Sequence, residues 1–209
     1  MSTAARIWYL GYGSNLDPAR LRRYLAGGRA PGATRATPGA RDPSPPEAIR
    51  AATLPHPLRF GGDFATWGGA AAFVDPARIG AAHATAYLLT TEQAEDVLRQ
   101  ENGRPDLTVD LVAAAKRGGT TLDPELPYGQ VLAGDWLDVG EPAVTFTCAD
   151  TSRWPDAPPP AAYLERLCAG LRTVAGLSTD EIAAYLLGAD GVALHWSRER
   201  LVHLAARAG

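Results

Sequence analysis

The chain has 209 residues, and 20 Lys+Arg against 23 Asp+Glu give a formal charge of −3. With 46% apolar and 21% charged residues it has the make-up of a soluble globular domain and not of a disordered one. The near-neutral balance speaks against nucleic acid, which calls for a basic face, and no apolar run approaches the roughly 18 residues of a membrane-spanning helix.

A chain of this length buries a core without staples, and the expectation is one domain over residues 1–209. Met1 to Arg6 leads into Ile7-Trp8-Tyr9-Leu10, an apolar stretch too short for a signal-peptide core and followed by no small-residue cleavage site; the reading is cytoplasmic. Ile7 to Tyr12, rich in aromatic and branched residues, predicts a strand. Gly13-Ser14-Asn15 breaks it, and Asp17-Pro18 opens a helix with Asp as N-cap and Pro at the first helical position. Leu16 and Leu21 have the spacing of a hydrophobic staple; Leu21, Tyr24 and Leu25 share a face, and Gly27-Gly28 ends the helix.

From Pro31 to Pro57 the chain holds seven prolines and little periodicity, so a long irregular loop within the domain is expected. Ala70–Val74 and Ala81–Leu89 read as strands joined at Asp75-Pro76, together a hairpin. Thr90 and Gln93 have capping-box spacing for a helix running to about Glu101. Strands are expected near Val131–Leu137 and Val144–Cys148. Pro158-Pro159-Pro160 then introduces a helix with the stripe Leu164, Leu167, Cys168, Leu171 and Val174; Ser178 and Glu181 cap another, and Trp196 to Ala206 reads as a last one. No repeat of fixed period is visible. Strands come early and helices late, which predicts a mixed α+β domain. Cys148 and Cys168 stand in no Cys-x-x-Cys pair, which suits a reducing compartment and speaks against a disulfide framework or a zinc ribbon.

Two constellations carry chemistry. Where the strand turns into the helix, at Tyr12-Gly13-Ser14-Asn15-Leu16, backbone N–H groups without intrahelical partners meet the positive end of a helix dipole, a setting that favours an anion or a developing oxyanion. A well-capped turn with no ligand has the same pattern. On the second helix, Ala94, Val97, Leu98 and Glu101 fall on one face, so a carboxylate continues an apolar stripe. Buried there, its pKa rises and it becomes a proton shuttle; at the helix end it can instead swing out to solvent, as ionisable side chains mostly do.

Other residues give weaker signals. Ser14 lacks the Gly-x-Ser-x-Gly elbow, since Leu16 stands where the last glycine should be. His56, His83, His195 and His203 are scattered without zinc-site spacing, and no metal is expected. Arg20, Arg22 and Arg23 read as a basic run on the solvated side of the first helix, complementing its C-terminal dipole. Gly61-Gly62 and Gly68-Gly69 fit no phosphate loop, so no nucleotide is expected.

The stretch Trp8-Tyr9-Leu10-Gly11-Tyr12-Gly13-Ser14-Asn15-Leu16 resembles the signature start of γ-glutamyl cyclotransferase-like proteins. Three further stretches resemble that family in the expected order: Thr66-Trp67-Gly68-Gly69-Ala70 before a strand, Ala86–Leu89 with the helix ending Leu98-Arg99-Gln100-Glu101, and Pro159-Pro160-Ala161-Ala162-Tyr163-Leu164. The resemblance implies a curved mixed β-sheet or small, partly closed barrel with flanking helices. It implies a cofactor-independent, metal-free reaction in which the α-amine of a γ-glutamyl compound attacks its own γ-carbonyl, giving 5-oxoproline and a free amine. Glu101 is then the general acid/base, Gly13, Ser14 and Asn15 hold the glutamyl moiety, and Tyr12, Leu16 and Tyr163 belong to the binding pocket. The implied partner is a small γ-glutamyl amine or amino acid, with no nucleic acid and no membrane; a homodimer is compatible with it. Asn102 intervenes before Gly103, where the family often has glycine directly, and Leu111 to Arg117 has helical character in place of a strand. The amine released is left open. Two rival readings are an amide hydrolase or acyltransferase with Ser14 as nucleophile, and a binding module that keeps the turn without the chemistry.

Overall fold

The computed structural model describes residues 5–137 and 140–208. Strand β1 (Arg6–Gly11) is buried from its second residue onward, because it runs inside a sheet covered on both faces. Its side chains alternate: Ile7 and Tyr9 enter one hydrophobic cluster, Trp8 and Leu10 the other. A 3-10 turn (Gly13–Leu16) leads into α1 (Pro18–Ala26), where Asp17 accepts from the Ala19 N–H and Pro18 takes the first position. β2 (Ala48–Leu54), β3 (Leu58–Phe64), β4 (Gly69–Val74) and β5 (Ala82–Thr90) follow. After them come α2 (Thr91–Asn102), α3 (Leu111–Lys116), β6 (Gly119–Thr121), β7 (Gln130–Ala133) and β8 (Ala143–Thr147). Three helices end the chain order: α4 (Ala161–Thr173), α5 (Thr179–Leu187) and α6 (Arg198–Arg207).

The main sheet has six strands in the order β2-β5-β1-β8-β7-β6, and β3 and β4 form a separate two-stranded ribbon. β1 and β8 run parallel while the neighbouring pairs are antiparallel, so the sheet is mixed; β2 and β6 are its free edges, and it does not close. One cluster packs α1, α2 and α3 against the Tyr9 face, the other packs α4, α5, α6 and the ribbon against the Trp8 face. This is the α+β architecture with a curved sheet and flanking helices that the sequence implies.

Several strand assignments differ from expectation. Residues 48–54 are not loop: β2 pairs along its whole length with β5, from Ala48↔Leu88 to Leu54↔Ala82. Alanine and arginine are weak strand formers, and as a mostly exposed edge the segment lacks alternation; its partner makes it a strand. The hairpin of 70–74 with 81–89 does not form, because β4 pairs with β3 and β5 lies between β1 and β2. β3 escapes notice because Gly61-Gly62 interrupts its pattern, and the register shifts there. The strand expected over 131–137 ends at Ala133, just before Gly134.

Candidate functional site

Gly13 has φ +62°, and a Cβ there would sit 2.6 Å from the Tyr163 hydroxyl and 2.8 Å from the Ala72 Cβ. Glycine is therefore required both for the backbone conformation and for the close approach of α4. The Tyr163 hydroxyl accepts from the Ser14 N–H at 3.3 Å and from the Ala72 N–H at 3.1 Å. The Asn15 N–H donates to the Tyr12 carbonyl at 3.3 Å. The Ser14 and Asn15 amides, expected to receive a ligand oxygen, are thus engaged within the protein. Tyr163 and Ser14 line the adjoining space together.

The Asn15 side chain is the turn's most connected polar group. Its Nδ2 donates to the Tyr9 hydroxyl at 2.9 Å and to Glu101 Oε1 at 2.7 Å, while its Oδ1 is buried without a partner. Tyr12 donates its hydroxyl proton to the Phe146 carbonyl at 2.6 Å, fixing the strand end against β8.

Glu101 reaches this position from α2. The Thr90–Gln93 capping box starts the helix, Ala94, Val97 and Leu98 are buried, and Gly103 ends it in the left-handed conformation. Glu101, one turn beyond Val97 and Leu98, is half-buried and turns toward Asn15, not outward. Its neighbours anchor the helix end. Gln100 Nε2 donates to the Tyr24 carbonyl at 3.0 Å, and its Oε1 accepts from the Gly39 N–H at 3.4 Å. Asn102 exchanges two hydrogen bonds with the backbone of Tyr128, at 3.2 and 3.0 Å. Burial raises the Glu101 pKa above the ordinary glutamate value, against the lowering influence of Arg20, Tyr24 and Asn15.

Ser14, Glu101, Tyr128 and Tyr163 face a cavity of about 880 Å³, walled in part by residues 35–39 and Arg41 of the proline-rich segment. The same four line a small recess of about 20 Å³ behind it, together with Tyr9, Tyr12, Asn15, Ala72 and Phe146. Gly13 and Leu16 line neither. Leu16 is a core residue, fully buried, with its carbonyl taken by the Thr85 hydroxyl at 2.8 Å. Leu16 as a pocket residue is therefore corrected: the turn points its side chain into the core. Among the described residues, no histidine lines either space and no three His, Cys, Asp or Glu side chains are grouped to hold a metal ion. Ser14 thus has no imidazole beside it to act as base for a nucleophilic role.

A second correction concerns the basic run on α1. Arg22 and Arg23 are exposed as expected, but Arg20 is 2% exposed and lines the large cavity. Its guanidinium lies 4.3 Å from the Tyr24 ring centre and 5.4 Å from that of Trp67, and its Nη2 donates to the Tyr24 hydroxyl at 2.7 Å. The i, i+4 spacing to Tyr24 on the apolar stripe was the available signal. Tyr128, also absent from the sequence reading, comes from a loop with no local pattern.

No family model matches the sequence. Over 200 residues the chain is 33% identical to Histone deacetylase 5 of Arabidopsis thaliana; this covers 86% of the chain, which spans 30% of that relative's length. In three dimensions it resembles a protein described as gamma-glutamyl cyclotransferase, with a TM-score of 0.53, 16% identity and 86% of each chain covered. It likewise resembles a human protein described as uncharacterized, with a TM-score of 0.51, 17% identity and 86% of each chain covered. The chain has the γ-glutamyl cyclotransferase-like fold.

Proposed function

We propose that this γ-glutamyl cyclotransferase-fold protein is an enzyme that cyclises a γ-glutamyl compound, releasing 5-oxoproline and a free amine. The observation that carries this reading is the half-buried Glu101 carboxylate held by Asn15 beside an open cavity.

The attacking α-amine is protonated at neutral pH, and Glu101, with its raised pKa, takes its proton. The freed nitrogen lone pair attacks the γ-carbonyl carbon and forms the ring C–N bond. The γ-amide C–N bond then breaks, its electrons go to the departing nitrogen, and Glu101 returns the proton there. Both protons shed by the attacking nitrogen end on the departing amine, so the carboxylate finishes as it began. Because nucleophile and electrophile belong to one molecule, orientation in a fitted pocket supplies much of the rate.

Tyr163 holds the γ-carbonyl oxygen. Its hydroxyl oxygen accepts two backbone N–H groups, which leaves its own proton to donate toward the space it lines. The polarity of the turn thereby reaches the substrate through a phenol, and burial, which pushes that phenol up to about 12, keeps it protonated. Residues 35–39 and Arg41 on the cavity wall face the leaving group and select it. The test is to incubate the protein with a panel of γ-glutamyl amines and amino acids and to follow 5-oxoproline by mass spectrometry. Release from at least one member is the expected result. No release, or linear glutamate carrying oxygen from labelled water, rejects the reading.

A further inference from the structure

Asn102 has no part in the chemistry above, yet its side-chain amide is fully engaged one residue beyond Glu101. It closes α2. Its Nδ2 donates to the Leu98 carbonyl at 3.0 Å and to the Tyr128 carbonyl at 3.2 Å, while its Oδ1 accepts from the Tyr128 N–H at 3.0 Å. Both donors and the acceptor of the side chain are thus in use. The two bonds to Tyr128 hold its backbone as the opposite residue of an antiparallel strand would. Asn102 is also the residue by which the chain departs from the resembled pattern, and a glycine in its place could make none of these bonds. The far end of Tyr128 is held separately. Its hydroxyl donates to the Ala72 carbonyl at 3.2 Å, and its ring lies against Phe73 with centroids 5.4 Å apart. Ala72 in turn donates its N–H to the Tyr163 hydroxyl. Tyr128 lines both the large cavity and the recess behind it, as do Ser14, Glu101 and Tyr163. The boundary between the two spaces therefore carries the proton shuttle, the phenol assigned to the γ-carbonyl oxygen, and a ring fixed at both ends.

We propose that Asn102 is a positioning residue: it pins the Tyr128 backbone to the end of α2, and the Tyr128 ring, so placed, keeps the γ-amide of the substrate aligned between Glu101 and Tyr163. The inference rests on the cyclisation reading and adds a residue to it. Ring closure needs the amine and the carbonyl carbon close to contact, and a misplacement of about 1 Å costs on the order of 100-fold. Tyr128 is 26 residues from Asn102 in sequence, in the loop between β6 and β7. The clip ties that loop to the helical turn that bears Glu101, so carboxylate and ring keep one spacing. The role is one of orientation and falls on kcat. Glu101 keeps its burial and its bond from Asn15, and with them its raised pKa.

The experiment measures kcat, KM and the pH profile of 5-oxoproline release for wild type, Asn102→Ala, Tyr128→Ala and the double variant. The substrate is a γ-glutamyl compound that wild type turns over, and urea melts give the folded fraction to which each rate is referred. Asn102→Ala is expected to lose on the order of 10- to 100-fold in kcat, with KM changed less and the acid limb of the profile in place. The double variant is expected to match Tyr128→Ala, because without the ring Asn102 has nothing to position. If Asn102→Ala fails to fold, Asn102→Asp carries the test. It can still accept from the Tyr128 N–H but cannot donate to the Tyr128 carbonyl, and its kcat on the pH plateau should fall below that of wild type. A wild-type kcat in the folded Asn102 variant overturns the inference and leaves cyclisation standing. So does a loss of equal size with and without the Tyr128 ring. An acid limb moved in Asn102→Ala overturns it too, since Asn102 would then act on the Glu101 proton and not through Tyr128. No release by wild type from any γ-glutamyl compound removes the cyclisation reading and this inference with it.

Discussion

The Asn15 side-chain amide donates to Glu101 Oε1 at 2.7 Å across a sequence separation of 86 residues. Because the same nitrogen also reaches the Tyr9 hydroxyl, one amide ties β1, the turn and the end of α2 together. A donor aimed at a carboxylate favours its ionised form, and burial opposes it. Glu101 rests on the raised side of that balance.

Replacing Asn15 by Ala removes the donor and leaves the burial. The Glu101 pKa should rise further. If the ionised form is the base, the acid limb of the kcat/KM–pH profile should move to higher pH and activity near neutrality should fall. A pH–rate series on Asn15→Ala checks this; a limb that stays in place, or moves down, contradicts it.

The same raised pKa has a consequence for stability. Below the ordinary glutamate pKa both folded and unfolded states hold the Glu101 proton, and ionisation makes no difference. As pH rises through the window up to the folded pKa, the unfolded state releases its proton first, so wild-type stability falls with pH on account of this residue. Glu101→Gln does not titrate and can still accept from Asn15. The variant should therefore gain on wild type between about pH 4, near the usual glutamate pKa, and about pH 7. Urea melts at both pH values measure the difference; a variant that loses ground at the higher pH contradicts the burial of this carboxylate.

Helix starts were legible because caps are local chemistry. Asp17 with Pro18, the Thr90–Gln93 box and the Ser178–Glu181 box all form as the spacing implies. The apolar stripe on α4 was legible for the same reason, with Leu164, Leu167, Cys168 and Leu171 buried. Pairing partners were not. β2 has no strand pattern of its own and is ordered by β5, and β3 is masked by two glycines. The site divides along the same line. The face of α2 that carries Glu101 follows from helical periodicity, but the direction its carboxylate takes at the last turn is decided by Asn15, far away in sequence. Arg20 was misread because a charged side chain is normally solvated; its spacing to Tyr24 was the one hint in the sequence, and Trp67, from outside α1, completes the burial.

Tyr163→Phe keeps the ring against Phe60 and Trp67 but strips the acceptor from two buried amides, Ser14 N–H and Ala72 N–H. Each unpaired buried donor costs about 1–3 kcal/mol, so a drop of about 2 kcal/mol or more in a denaturant melt is expected. If the phenol also donates to the γ-carbonyl oxygen, kcat falls on the order of 100-fold, the usual effect of removing one such donor. A destabilised variant with unchanged kcat would confine Tyr163 to a structural role.

The most direct measurement of the central claim is 5-oxoproline formation by Glu101→Gln against wild type, on whichever γ-glutamyl compound wild type turns over best, with circular dichroism confirming that both are folded. The account predicts a loss of roughly 10²–10⁴-fold in kcat, the range for removing a general acid/base. A folded Glu101→Gln protein that cyclises the substrate at the wild-type rate would contradict it.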